Sequence, residues 1–183
     1  MVRTSNEKHG RNLAADVRLR RPRATDGVRI SDLVASCPPL DENSLYCSLL
    51  QCTDFADTCV LAEKEGEAVG WISGYRPPNE PETLFIWQVA VHERARGLGL
   101  ARRMLVEVLG RESVGGVSYL KTTITPDNEA SRCLFRSLAA GAGAALRETA
   151  GFDAKEHFGN RHASERLITI GPLQRSRSAQ SAA

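Results

Sequence analysis

Apolar positions along the chain change period several times, and each change marks an element. Val17-Arg18-Leu19-Arg20 alternates as a short strand, which Pro22 ends. Val28, Ile30, Leu33 and Val34 then fall at helical spacing, with Asp26 placed to cap the helix. Cys37-Pro38-Pro39 stops it. Leu45, Leu49 and Leu50 predict one face of a second short helix, with Asp41 as its candidate cap and Tyr46 beside that face. Thr58–Glu63 and Ala68–Tyr75 are β-rich runs around Lys64-Glu65-Gly66-Glu67, which reads as a hairpin. Three prolines make Arg76–Pro81 a loop.

The longest apolar run, Leu84–Val91, reads as a buried strand. It breaks at His92-Glu93 into Arg94-Ala95-Arg96-Gly97-Leu98-Gly99. Helical spacing resumes over Leu100–Leu109. A glycine-rich turn between strand and helix aims backbone N–H groups at one spot, and the helix start adds partial positive charge. An anionic phosphate is the ligand such a turn favours. Farther on, Val117–Thr125 predicts a strand and Asn128 the start of a helix through Leu138. Ala139–Ala145 reads as a loose helix end or loop. Arg147–Gly159 carries no clear period, and Leu167–Ile170 predicts a last strand. No internal repeat is present. Helices alternating with strands in this way predict an α/β fold, a mixed sheet with helices on its faces.

Composition narrows the classes. The chain has 183 residues with 42% hydrophobic and 25% charged content, enough for one domain with a core. A net charge of +2 gives no electrostatic case for nucleic acid or a membrane surface. No apolar run approaches the roughly 20 residues of a membrane helix. Residues 1–16 are polar and basic and predict a disordered arm, residues 17–173 the domain, and residues 174–183 a disordered tail. Five cysteines without a C-x-x-C pair, and no signal peptide, predict a reduced, cytoplasmic setting. His157 and His162 lack partners at zinc spacing, so no metal is expected.

Three phosphate-binding patterns compete for the turn. A dinucleotide fingerprint would need glycine where Arg102 stands, and a P-loop would need Gly-Lys-Ser/Thr, which is absent. Arg94-x-x-Gly97-x-Gly99 satisfies a third pattern. With the strand before it, the helix after it and Asn128-x-x-Ser131 beyond, the sequence resembles the GNAT N-acetyltransferases. Longer segments narrow the resemblance to the L-2,4-diaminobutyrate acetyltransferases of ectoine biosynthesis. These are Pro38–Tyr46, Trp71–Pro78, Phe85–Val91 and Thr125–Ser131, and the likeness runs from about Val17 to Leu173.

The resemblance implies a GNAT-like, mostly antiparallel central sheet flanked by helices in a single domain. It also implies acetyl transfer from acetyl-CoA to the γ-amine of L-2,4-diaminobutyrate, and a homodimer. Arg94, Ala95, Arg96, Gly97, Leu98, Gly99, Leu100 and Ala101 would hold the pyrophosphate. Arg102 and Arg103 either join them or form a solvated helix face. The backbone at Val89, Ala90 and Val91 would bond the pantetheine, with an N–H there facing the developing oxyanion. Asn128 would bond the pantetheine arm, cap its helix, or do both, with Ser131 completing the motif.

Many GNAT enzymes carry a tyrosine acid where this chain has Phe135, which cannot donate a proton. Tyr46 is the phenolic substitute, or else an ordinary core residue. The acceptor amine must lose a proton before attack, at a cost of about 4.6 kcal/mol at pH 7 for a lysine-like amine. His157 is the candidate base. Asp41 is the first candidate for an ammonium contact, against its capping role. Trp87 is either a site wall making a cation–π contact or a core residue. Glu156 and His157 lie in an irregular stretch of the kind that often lines sites. Gly151-Phe152 comes sixteen residues after Phe135, farther than is usual in the family. Two other functions compete: acetylation of another primary amine, such as a polyamine, an aminoglycoside or a protein N-terminus, and non-catalytic acyl-CoA sensing.

Overall fold

The computed structural model describes residues 16–174, so the N-terminal arm up to residue 15 and the tail from residue 175 lie outside the described residues. Contacts gather into two compact units. The first takes the chain up to Tyr75 together with Ile86–Gly115, and the second takes Arg76–Phe85 and the chain from Gly116 onward.

The first unit carries strands β1 (Arg18–Arg20), β2 (Val60–Lys64) and β3 (Glu67–Tyr75) and the Ile86–Val91 part of β4 (Thr83–Val91). β1 pairs antiparallel with β2, and β2 with β3. Glu65 and Gly66, at φ 53° and 85°, form the two-residue turn of the predicted hairpin. Helices α1 (Gly27–Ala35) and α2 (Leu45–Cys52) precede β2, and α3 (Leu100–Leu109) follows β4. Ile30, Leu33 and Val34 of α1 pack with Cys52, Cys59, Leu61, Trp71 and Ala90 into a core cluster. Burial also holds the thiols of Cys52 and Cys59 protonated, pushing them up to about 11 and about 12.

Two capping expectations are corrected. Asp26 stands at the N-cap position of α1 but makes no side-chain cap bond there. Its carboxylate takes a bidentate contact from Arg20, at 2.7 and 2.8 Å, and a further bond from Arg29 at 3.1 Å. The α2 cap is Ser44, which accepts from the Cys47 N–H at 3.2 Å, and not Asp41. The buried face of α2 also differs from the leucine face predicted. Ser48, Gln51 and Cys52 are buried, while Leu45 is 46% and Tyr46 70% exposed.

The second unit holds the Thr83–Phe85 part of β4, then β5 (Tyr119–Ile124), α4 (Glu129–Ala142), β6 (Leu146–Ala150) and β7 (Arg166–Ile170). β5 runs parallel to β4 from Thr83↔Tyr119 to Phe85↔Lys121, after the crossover connection that parallel neighbours require. β7 pairs antiparallel with both β5 and β6. With one parallel pair among antiparallel ones, this is the mixed, mostly antiparallel sheet expected. α4 continues to Ala142 and ends at Gly143, φ 60°, so most of the stretch read as a loose end is helix. β6 occupies the start of the stretch that showed no period. Only its first residue is partly buried, so no apolar alternation marks it.

Candidate active site

β4 runs directly into the glycine turn, so its ladder fixes where the turn begins. Its burial alternates: Leu84, Ile86, Gln88 and Ala90 are buried, while Trp87 is exposed and Val89 and Val91 are partly so. After Val91, His92 caps a short 3-10 turn over Glu93–Ala95, its Nδ1 accepting from the Arg94 N–H at 3.2 Å. Ala95 is buried and anchors this turn, while Arg94 and Arg96 stay exposed. Arg96 Nε donates to the Val91 carbonyl at 3.0 Å. Gly97 and Gly99 both adopt left-handed backbone, φ 75° and 70°, and Gly99 is the N-cap of α3. A Cβ built at either glycine meets nothing within 4 Å. The space over both glycines is therefore open, beside the first turn of a ten-residue helix. The turn carries two exposed guanidinium groups, which suits a pyrophosphate. Arg102 and Arg103 are exposed on α3, and Arg103 Nη2 donates to the Val17 carbonyl at 3.4 Å.

The same unit holds the candidate acceptor side. Trp87 is 46% exposed, so it is not a core residue. Its ring lies edge-on to Tyr75 at 6.4 Å, and Tyr75 lies edge-on to Phe55 at 6.2 Å, so an aromatic row supports it. Asp41 precedes α2 in a segment without regular structure, and its carbonyl accepts from Gln88 Nε2 at 2.7 Å. Gln88 Oε1 accepts from Asn43 Nδ2 at 3.2 Å. Tyr46 presents its phenol on the outer side of α2, away from the core its alternative reading required. Gln88 and Asn43 were missed in the sequence, although a signal existed. Gln88 is the one polar residue in Leu84–Val91, and a buried amide inside a strand needs partners.

The remaining candidates lie in the second unit. Asn128 Oδ1 accepts from the Ser131 N–H at 3.0 Å, so the capping role is real, while its Nδ2 keeps two further donors. Phe135 is 2% exposed and belongs to the core of that unit. Glu156 and His157 are exposed in the connection between β6 and β7. Asp153 organises that connection, its Oδ1 accepting from Lys155 N–H at 2.8 Å and Glu156 N–H at 3.0 Å. Those backbone donors hold its carboxyl below the usual carboxylate range. His157 Nδ1 accepts from the Asp153 N–H at 2.9 Å, which leaves the ring proton on Nε2. The His157 ring also sits edge-on to Phe152 at 5.6 Å. In this arrangement its outward nitrogen donates. Among the described residues no group of three or more His, Cys, Asp or Glu forms a metal site, and no helix is long and apolar enough to cross a membrane.

The chain is similar to known proteins over most of its length. The acetyltransferase (GNAT) family profile matches residues 28–139. An L-2,4-diaminobutyric acid acetyltransferase of Chromohalobacter salexigens is 50% identical, with 85% of this chain and 81% of that protein covered. One of Methylotuvimicrobium alcaliphilum is 45% identical, with 86% and 92% covered. Among solved structures, the diaminobutyrate acetyltransferase of Paenibacillus lautus, in complex with L-2,4-diaminobutyric acid and coenzyme A, superposes with a TM-score of 0.83. It is 41% identical, with 88% of this chain and 98% of that chain covered.

Proposed function

The chain belongs to the acetyltransferase (GNAT) family, and we propose that it transfers the acetyl group of acetyl-CoA to the γ-amine of L-2,4-diaminobutyrate. The product is γ-N-acetyl-L-2,4-diaminobutyrate, the precursor cyclised in ectoine biosynthesis. The observation that carries the reading is the likeness, over 98% of its length, to an enzyme solved with that substrate and coenzyme A. The open turn from Arg94 to Gly99 supplies a physical reason for the coenzyme.

Each residue then takes a role. Backbone N–H groups of the turn and of α3 hold the pyrophosphate, and Arg94 and Arg96 pair with its oxygens. Arg96 leaves the Val91 carbonyl to do so, freeing that carbonyl for the pantetheine, and in the second unit Asn128 keeps Nδ2 donors suited to an amide carbonyl. Asp41 holds an ammonium of the acceptor and Trp87 walls it. In the second unit, His157 keeps an Nε2 donor suited to a carboxylate, and Glu156 an acceptor suited to an ammonium. With Nδ1 occupied, His157 is assigned to binding, and the proton leaves the amine through water. The neutral amine attacks the thioester carbon, a backbone N–H of β4 meets the oxyanion, and the C–S bond breaks. The nitrogen gives up its second proton to water as the C–S bond breaks, and Tyr46 donates a proton to the departing thiolate and recovers one from solvent.

The test follows free thiol released from acetyl-CoA with a panel of amines. Turnover is expected with diaminobutyrate and to be poor with polyamines, aminoglycosides and peptides. Turnover of another amine alone would replace the substrate, and acetyl-CoA binding without any turnover would make the protein a sensor. The protein is further proposed to work as a cytoplasmic homodimer. Light scattering should give about twice the 19.9 kDa chain mass, and a monomer in the active fraction would remove the dimer.

A further inference from the structure

We propose that Gln88 is a positioning residue for the amine acceptor, its buried side-chain amide hanging the Asp41–Ser44 segment on β4. The proposal rests on the acetyl transfer argued above. Residues 41–44 have no helix or strand ladder of their own. Leu40 is packed against the core cluster before them, and Ser44 is committed to the cap of α2 after them. Between those anchors a side chain from 45 to 47 positions away ties the segment to β4. Gln88 Nε2 donates to the Asp41 carbonyl at 2.7 Å and Gln88 Oε1 accepts from Asn43 at 3.2 Å.

The choice of residue is chemically specific. The contact needs a donor for a carbonyl and an acceptor for an amide NH₂ on one planar group. Glutamate supplies only acceptors and leucine neither. Gln88 is 7% exposed, so water does not readily replace a lost bond. Ser31, Val34, Ser48 and Gln51 close up against the segment, and Gln51 Nε2 is buried without a hydrogen-bond partner among the described residues. The seat is polar, and apolar packing alone does not hold the segment down. The same strand places Trp87 next to Gln88. One residue of β4 thus walls the acceptor while its neighbour sets the segment carrying Asp41 and leading to Tyr46.

The experiment is steady-state kinetics on the full chain, with both substrates varied. Gln88→Leu, which loses both hydrogen bonds, should raise KM for diaminobutyrate at least about tenfold, while KM for acetyl-CoA stays within about twofold. Gln88→Glu should do the same, because it keeps the acceptor for Asn43 and loses the donor to Asp41. Asn43→Ala removes one arm at a less buried position and should raise KM for diaminobutyrate about threefold. It decides the matter if the Gln88 variants do not fold. Unchanged KM for diaminobutyrate in folded variants, or equal rises for both substrates, would overturn the positioning role. If the wild type turns over a different amine, the reaction assigned above fails, and the same split is read with that amine. If it turns over none, both fall.

Discussion

Gly99 carries the sharpest prediction at the level of single residues. Its backbone is left-handed, and the volume a side chain would enter is empty of protein. Valine there should cost about 1–2 kcal/mol of backbone strain without an internal clash, so Gly99→Val should fold. Its side chain would stand in the space assigned to the pyrophosphate. Calorimetric titration should show acetyl-CoA affinity down at least about tenfold, and unchanged affinity would take the turn out of the coenzyme site. Trp87 and Gln88 teach a second point. Their composition reads as one apolar run, yet strand alternation sends one outward and buries the other. Trp87 was a candidate from its residue type alone. Gln88 needed the partner 47 residues away to become one.

At the level of elements, one helix end and one ion cluster can be tested directly. The N-terminus of α4 is capped by Asn128, so Asn128→Ala should lower stability by about 1 kcal/mol, a few degrees in Tm for a chain of this size. Asn128→Asp separates the two roles, since it keeps the capping oxygen and loses the Nδ2 donors. Its Tm should hold while acetyl-CoA affinity falls, and an affinity that follows only the cap would remove the pantetheine contact. Arg20 of β1 binds Asp26 ahead of α1 and Glu63 of β2, with contacts of 2.6–2.8 Å to both carboxylates. These side chains are at most 16% exposed. Arg20→Leu leaves Asp26 with Arg29 and the Arg23 N–H, and Glu63 with Arg29, and thermal or urea unfolding should show a loss of about 3 kcal/mol at neutral pH. A change below about 1 kcal/mol would mean that Arg29 alone satisfies the pair.

For the whole molecule, the same chemistry sets the acid limit. Hydrogen bonds from Arg20 hold the Asp26 and Glu63 carboxyls below their ordinary range, and Lys121 does so for Glu80. Depressed carboxyls mean that the unfolded chain binds more protons. Their stability is therefore present above about pH 4 and is lost as pH falls through the folded values. An unfolding free energy that stayed flat to pH 2 would contradict this. The acid midpoint should move to higher pH in Arg20→Leu. The strands other than β6, the hairpin, the glycine turn and the helix behind it were legible without coordinates. Local signals carry them: period-2 and period-3.6 burial, glycine at left-handed positions, and proline where pairing stops. β6 was not legible, because its exposed residues have no apolar face and its place comes from backbone bonds to β7. Nor was the cap of α2. Ser44 and Asp41 are both good capping types, and the choice fell to a segment whose path Gln88 helps set. By itself, then, the sequence determined the family, the reaction class and the glycine turn between strand and helix, all written in contiguous residues. Tertiary structure alone decided which way Tyr46 and Trp87 face, that His157 presents a donor, and that Asp41 hangs from β4. Each of those depends on a partner distant in the chain or on a backbone path, and residue type and spacing encode neither.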